Sequence, residues 1–167
     1  MKPGDAPLSY TFVPSPIGDL LIAGIDDSLH VLSFPSGSRA WRPSDRWQRD
    51  DQALPDVRAQ LAGYFAGEIK RFGLDLAPWG TPFQLAVWDA LRAIPHGETT
   101  TYAAIAQRIG RPTATRAVGA ANGANPIPII IPCHRVIGAS GALTGFGGGL
   151  PVKQALLALE RPDPLLL

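Results

Sequence analysis

Hydrophobic periodicity changes once along this 167-residue chain, near Ala77-Pro78-Trp79-Gly80, and the break constrains the fold more than any other feature. Before it, Tyr10 to Val13, Leu20 to Ile25 and Leu29 to Phe34 are short β-rich runs separated by turn sequences, Pro14 to Asp19 and Asp26-Asp27-Ser28. A polar stretch with Trp41 and Trp47 reads as a loop. Pro55 to Ala66 then carries Val57, Leu61, Tyr64 and Phe65 at helical spacing, and Ile69 to Leu76 is a candidate further strand. This half predicts a small α+β lobe and shows no catalytic constellation of its own.

After the break the signals are helical. Thr81-Pro82-Phe83-Gln84 is a capping box with proline at the first helical position. The helix it opens places Phe83, Val87, Trp88 and Leu91 on one face and ends before Pro95. Thr101 precedes a helix from Tyr102 to Ile109, closed by Gly110. Thr113 is positioned to cap another through about Ala121. Two short helices around a Gly/Pro turn resemble a helix-turn-helix. The second is almost bare, with Ala117, Gly119, Ala120, Ala121 and Gly123 around a single Arg116. That surface lacks the polar side chains of a major-groove reader and suits a backbone or minor groove, or simply tight helix packing.

Residues 125–150 read NPIPIIIPCHRVIGASGALTGFGGGL. Two prolines stiffen the start, Ile129 to Ile131 reads as a buried strand-like run, and Pro132 ends it. Cys133 follows, the one cysteine in the chain, with His134 and Arg135 next. A lone cysteine is commonly a small buried hydrophobe. Its place after an apolar run, its imidazole and guanidinium neighbours and the glycine-rich segment beyond instead favour a nucleophile, with a thiol pKa lowered by those neighbours.

Composition narrows the classes. Hydrophobic residues make up 46% and charged residues 17%, enough apolar material for a packed core. One cysteine excludes an intramolecular disulfide and a cysteine-rich zinc site. Residues 1–81 hold 8 Lys+Arg and 10 Asp+Glu, a balance of −2, and residues 82–167 hold 7 and 4, a balance of +3. This asymmetry is too mild to predict nucleic-acid binding unaided. No run is long and apolar enough for a membrane helix, and the first residues lack the apolar core of a signal peptide, so a cytoplasmic protein without membrane contact is expected.

The string Ile131-Pro132-Cys133-His134-Arg135-Val136 resembles the active-site signature of the O6-alkylguanine-DNA alkyltransferases, the methylated-DNA–protein-cysteine methyltransferases. The likeness extends through Gly97-Glu98-Thr99, Tyr102, Arg116 to Gly119, Asn125-Pro126, Thr144-Gly145, Gly148 to Leu150, Lys153 and Glu160. In the N-terminal half it is general, chiefly the Ser15-Pro16-Ile17-Gly18 turn. The resemblance implies an α+β fold: a ribonuclease-H-like α/β lobe over residues 1–80, then a mainly helical, winged-helix-like lobe with a helix-turn-helix over 81–167.

By the same resemblance, Cys133 accepts the alkyl group and is consumed as a thioether, so no cofactor or metal is expected. His134 takes the thiol proton through an ordered water, Glu160 orients the imidazole, and Tyr102 donates to the leaving base. Thr115, Arg116, Ala117, Ala120 and Ala121 meet the minor groove, with Arg116 filling the stack where the damaged nucleotide flips out. Asn125 ties the helix to the cysteine segment. Val136, Pro128 and the Gly145 to Gly149 loop, including Phe146, Gly147 and Gly148, shape the guanine pocket. Phe146-Gly147 stands where the family often has Tyr and a small residue or Ser, which leaves room for bulkier alkyl groups. The implied partner is duplex DNA containing O6-alkylguanine, with O4-methylthymine as a second substrate. The protein is expected to act as a monomer, with cooperative binding along DNA as one option. Two alternatives remain at this point: a Cys-His thiol hydrolase, which would turn over, and a binding-only protein, which would leave Cys133 unmodified.

Overall fold

The computed structural model describes residues 3–141 and 146–161. Strands β1 (Ser9–Val13), β2 (Leu20–Ile25) and β3 (Ser28–Ser33) form an antiparallel meander. Two short parallel strands flank it, β4 (Gln48–Arg49) on β1 and β5 (Asp75–Leu76) on β3, giving the order β4-β1-β2-β3-β5. Alternation along β2 divides its side chains between two cores. Leu20 and Ile22 join the main cluster, and Leu21 and Ala23 pack with Leu8, Val31 and Trp47 on the other face. The β2–β3 register shifts at Ala23/Gly24, where a side chain on Gly24 would overlap the Ser28 carbonyl.

Helix α1 (Pro55–Phe65) buries Val57, Leu61 and Tyr64. Two readings of the first half need correction. The stretch around Trp47 is not all loop: the buried Trp47 indole seats β4 against β1. Only Asp75–Leu76 of the expected later strand pairs with the sheet. Ile69 and Phe72 turn inward instead, the Ile69 N–H donating to the Gly63 carbonyl and Phe72 lying 5.4 Å from the Tyr64 ring.

The capping box forms as expected: Thr81 accepts from the Gln84 N–H at 3.1 Å, and Gln84 accepts from the Thr81 N–H at 3.0 Å. Helix α2 (Pro82–Arg92) buries Val87, Trp88 and Leu91, with Phe83 partly buried. Strand β6 (Thr100–Thr101) leads into α3 (Tyr102–Arg108), capped by Thr101. Helix α4 (Thr115–Gly123) begins later than expected and without a side-chain cap. A turn closed by Ala114 N–H to Arg111 C=O occupies Thr113 first. Strand β7 (Val136–Ile137) pairs with β6 in parallel, and α5 (Leu150–Glu160) closes the described chain.

Ile129 to Ile131 is not a strand. Pro126, Pro128 and Pro132 remove the N–H donors that a ladder needs, so the segment folds on itself. Ile131 N–H donates to Ile127 C=O at 2.9 Å, and Ile129 takes a φ of 73°, a strained value for a β-branched residue. The two halves share one hydrophobic cluster, which runs from Leu20, Ile22 and Leu61 to Val87, Leu91, Ile127 and Cys133. Leu32 N–H also donates to the Pro126 carbonyl at 2.9 Å, fixing β3 to the cysteine segment. No helix among the described residues is long and apolar enough to cross a membrane.

Candidate active site

Pro132, with φ −81° and ψ 65°, makes an inverse γ-turn that closes Cys133 N–H onto the Ile131 carbonyl at 2.7 Å. Cys133, His134 and Arg135 then form one buried 3-10 turn. Asn125 holds the approach. Its amide donates to the Ile131 carbonyl at 2.8 Å, and its Oδ1 accepts from the Ile127 N–H at 2.9 Å. The Asn122 amide reaches the Cys133 carbonyl at 3.4 Å. The thiol therefore stands on a turn braced from α4 and from the residues just beyond it.

Cys133 lines a cleft with Asn125, Pro128, Phe146, Gly147 and Gly148. The opposite wall comes from the N-terminal lobe as Phe34, Arg39 and Trp41. Phe146 lies 5.5 Å from Phe34, ring to ring. A side chain on Gly148 would press into the Phe34 ring, and one on Gly37 would overlap the Gly147 carbonyl. The two loops thus meet backbone to backbone, and glycine is what permits it. Gly147 does not leave open space, since a Cβ there would lie 3.3 Å from Arg39 Cβ. Gly145 and Thr144 fall outside the described residues.

Behind the thiol is a buried polar network. His134 Nε2 and Glu160 Oε2 are 2.7 Å apart. Arg135 donates from Nε to Glu160 Oε1 at 2.8 Å and from a terminal nitrogen to Oε2 at 3.0 Å, and its other arm reaches the Ile94 carbonyl at 2.7 Å. Tyr64 donates its hydroxyl proton to Glu160 Oε2 at 2.6 Å. Burial alone would raise the Glu160 carboxyl. The bonds from His134, Arg135 and Tyr64 outweigh it and hold the group well below the usual carboxylate range. Burial pulls His134 below its ordinary value, against the Glu160 carboxylate. An ionised Glu160 can only accept, so His134 carries its proton on Nε2. Nδ1 is buried with no hydrogen-bond partner among the described residues, a base facing away from its support.

The thiol differs from expectation. Its pKa is not lowered: burial pushes it up to about 11, and the Asn125 amide and the Lys153 charge offset this only in part. Arg135, its sequence neighbour, points away to Glu160, and the cation acting on Cys133 is Lys153 from α5. Lys153 is fully buried and donates to the Val136 carbonyl at 2.7 Å.

Tyr102 packs beside α4, where a side chain on Gly119 would meet its ring at 3.9 Å. Thr115, Arg116, Ala117 and Ala120 are exposed on α4. Ala121 is not on that face: it is buried, and its carbonyl accepts from the Trp88 indole at 2.8 Å. The sequence assigns no role in the site to Tyr64, Lys153, Asn122 or the Phe34–Trp41 wall, and it assigns Arg135 to the thiol, whereas the structure places its guanidinium on Glu160. A buried tyrosine on an apolar helix face does signal a partner for its hydroxyl, but not which one. Among the described residues no cluster of His, Cys, Asp and Glu is arranged to hold a metal ion.

A buried thiol next in sequence to an oriented imidazole–carboxylate pair, lining a cleft, is an arrangement suited to a nucleophilic acceptor. Residues 82–162 match the DNA-binding domain of 6-O-methylguanine DNA methyltransferase, and residues 8–78 match the ribonuclease-like domain of the same enzyme. A methylated-DNA–protein-cysteine methyltransferase of Methanosarcina acetivorans is 50% identical over 90% of this chain and 97% of its own. One from Mycolicibacterium paratuberculosis is 52% identical over 92% and 93%. The crystal structure of Mycobacterium tuberculosis OGT in complex with DNA superposes with a TM-score of 0.87 at 50% identity, covering 92% of this chain and 93% of that one. The chain belongs to the methylated-DNA–protein-cysteine methyltransferase family.

Proposed function

We propose that this protein repairs alkylated DNA by moving the alkyl group from O6 of guanine to Sγ of Cys133, once per molecule. The observation that carries this reading is Cys133 at the floor of the cleft, backed by a His134 whose Nδ1 is left free by the Glu160 bond. A thiol with a pKa near about 11 is protonated at neutral pH, so transfer needs a base. His134 takes the proton through an intervening water. The S–C bond forms as the O6–C bond breaks, and the electrons of that bond leave with guanine O6. Tyr102, beside α4, supplies hydrogen bonding to the base as that charge develops. Water does not cleave the resulting thioether, which is why the molecule is spent. Lys153 and Asn125 lessen the cost of the transient thiolate without overcoming the burial that keeps the resting thiol neutral.

Thr115, Arg116, Ala117 and Ala120 form the face that enters the minor groove, where small side chains allow close backbone approach. Arg116 occupies the stack when the nucleotide swings out, because the alkyl carbon is unreachable inside a duplex. Pro128, Asn125, Phe146, Gly147 and Gly148 seat the base, opposite Phe34, Arg39 and Trp41, with the backbone of the buried Val136 as a further contact. O4-methylthymine presents the same O-alkyl group and is a second substrate. The protein works as a cytoplasmic monomer, with residues 1–80 and 81–167 as two lobes.

Incubation with an oligonucleotide containing O6-methylguanine, followed by mass spectrometry, tests this. The expected result is a gain of about 14 Da, one hydrogen replaced by methyl, confined to Cys133 and to one event per chain. An unmodified Cys133 would falsify the reading, and product released beyond one equivalent would point to a hydrolase.

A further inference from the structure

Tyr64 belongs to α1, in the half of the chain that carries none of the site residues expected from sequence. Its ring is buried against Phe65, Phe72 and His96. Its hydroxyl reaches 96 residues along the chain to the Glu160 oxygen on which His134 rests, at 2.6 Å beside the 2.7 Å imidazole bond. We propose that Tyr64 is a positioning residue for alkyl transfer, holding and sharing the Glu160 oxygen that seats His134. This rests on the reading of His134 as the base.

The physical reason is competition for one oxygen. A buried carboxylate that met the imidazole alone would favour the imidazolium, whose Nδ1 already carries a proton and can accept none. Burial already disfavours the imidazolium, and donation from Tyr64 draws charge from Oε2 and adds to that effect, keeping Nδ1 available. The titratable groups around His134 are Cys133 and Arg135 on its own turn, Glu160 and Lys153 from α5, Tyr64 from α1, and His96 behind the Tyr64 ring. Glu160 favours the imidazolium, and Arg135 and Lys153 oppose it. Tyr64 is a neutral donor, so removing its hydroxyl leaves those charges in place.

Two variants of the full chain pull in opposite directions. Tyr64→Phe removes the donor, and 3-fluorotyrosine at position 64 makes it more acidic while keeping its shape. The first readout is the proton resonance of His134 Nε2–H at neutral pH. It is expected downfield of wild type in Tyr64→Phe, as the His134–Glu160 bond strengthens, and upfield with fluorotyrosine. The second is the acid limb of the single-turnover rate. It is expected to rise by about half a pH unit in Tyr64→Phe, a roughly threefold loss of rate on that limb, and to fall with fluorotyrosine. Should Tyr64→Phe not fold, the fluorotyrosine protein alone decides by the sign of both shifts. A purely structural tyrosine would lower stability and leave both signals unmoved, and that result overturns the proposal. So would shifts of the same sign in both variants. Failure of the transfer reading is seen separately, as wild-type Cys133 that gains no mass while the Nε2–H resonance still reports on Tyr64.

Discussion

At the scale of single residues, the fold keeps the Cys133 thiol protonated and the His134 imidazole neutral at pH 7. Burial is the common cause, and Glu160 is where its cost is offset. That carboxylate takes bonds from His134, Arg135 and Tyr64, so removing it strands a guanidinium in the interior. Glu160→Gln should cost about 3–5 kcal/mol at pH 7, read by urea unfolding, because one partner of a buried pair is left unmatched. The sign of the pH dependence follows from the shifts. Glu160 is lower when folded than when unfolded, so its contribution is complete above roughly pH 4.3 and is lost as pH falls below that value. His134 is also lowered on folding, so its contribution is complete above about pH 6.5 and declines below. Wild-type stability should therefore fall on acidification from pH 7 to 3, and Glu160→Gln should have the flatter profile below about pH 4. Equal slopes for the two proteins in that range would contradict this account of Glu160.

At the scale of elements, the proposed transfer depends most on the turn from Asn125 to Cys133 and on helix α4. Asn125 makes two bonds across that turn, to backbone groups of the buried residues Ile131 and Ile127. Asn125→Ala should cost about 2–6 kcal/mol and slow transfer, since each buried group left unpaired costs about 1–3 kcal/mol. Matched urea melts and single-turnover rates would show it. For α4, Arg116→Ala should slow transfer from duplex DNA at least about tenfold and leave reaction with the free base O6-benzylguanine near wild type, because a free base needs no extrusion. Equal losses on both substrates would mean that Arg116 serves the fold and not the flip. Sequence made some of these elements plain and others not. The Thr81–Gln84 capping box was legible because its bonds lie within four residues. The Ile129–Ile131 run reads as strand-like in sequence yet folds as a turn, because apolar composition says nothing of backbone bonding and the neighbouring prolines decide that. Cys133, His134 and Glu160 could be named from the family signature. The raised thiol pKa could not, since burial is a property of the whole packing and neighbouring residues in sequence point in different directions.

At the scale of the molecule, the two lobes share one core and divide the site between them. Leu32 bonds to Pro126, Phe34 packs on Phe146, and Tyr64 reaches Glu160. These long-range pairs were invisible in sequence for the same reason that α1 looked like an ordinary amphipathic helix: nothing local records which distant group a buried hydroxyl will meet. Their consequence is that unfolding should be a single transition, seen alike by tryptophan fluorescence and far-ultraviolet circular dichroism. Alkylation should act on that transition as a whole. Cys133 is 5% exposed, and its turn is braced by Asn125 from one side and Asn122 from the other. A methyl on Sγ adds volume where the turn has no slack, and overpacking of this kind costs about 1–3 kcal/mol. For a chain of this size each kcal/mol moves the melting midpoint by about 2–4 °C, so the spent protein should melt roughly 2–12 °C below the fresh one. A larger group such as benzyl should lower it further, because the Phe34–Trp41 wall limits how far the added atoms can move into the cleft. The measurement is a thermal melt of one preparation before and after stoichiometric methylation, with mass spectrometry confirming full conversion. An unchanged midpoint would mean that the cleft absorbs the methyl without strain, and that the shared core does not register the state of its cysteine.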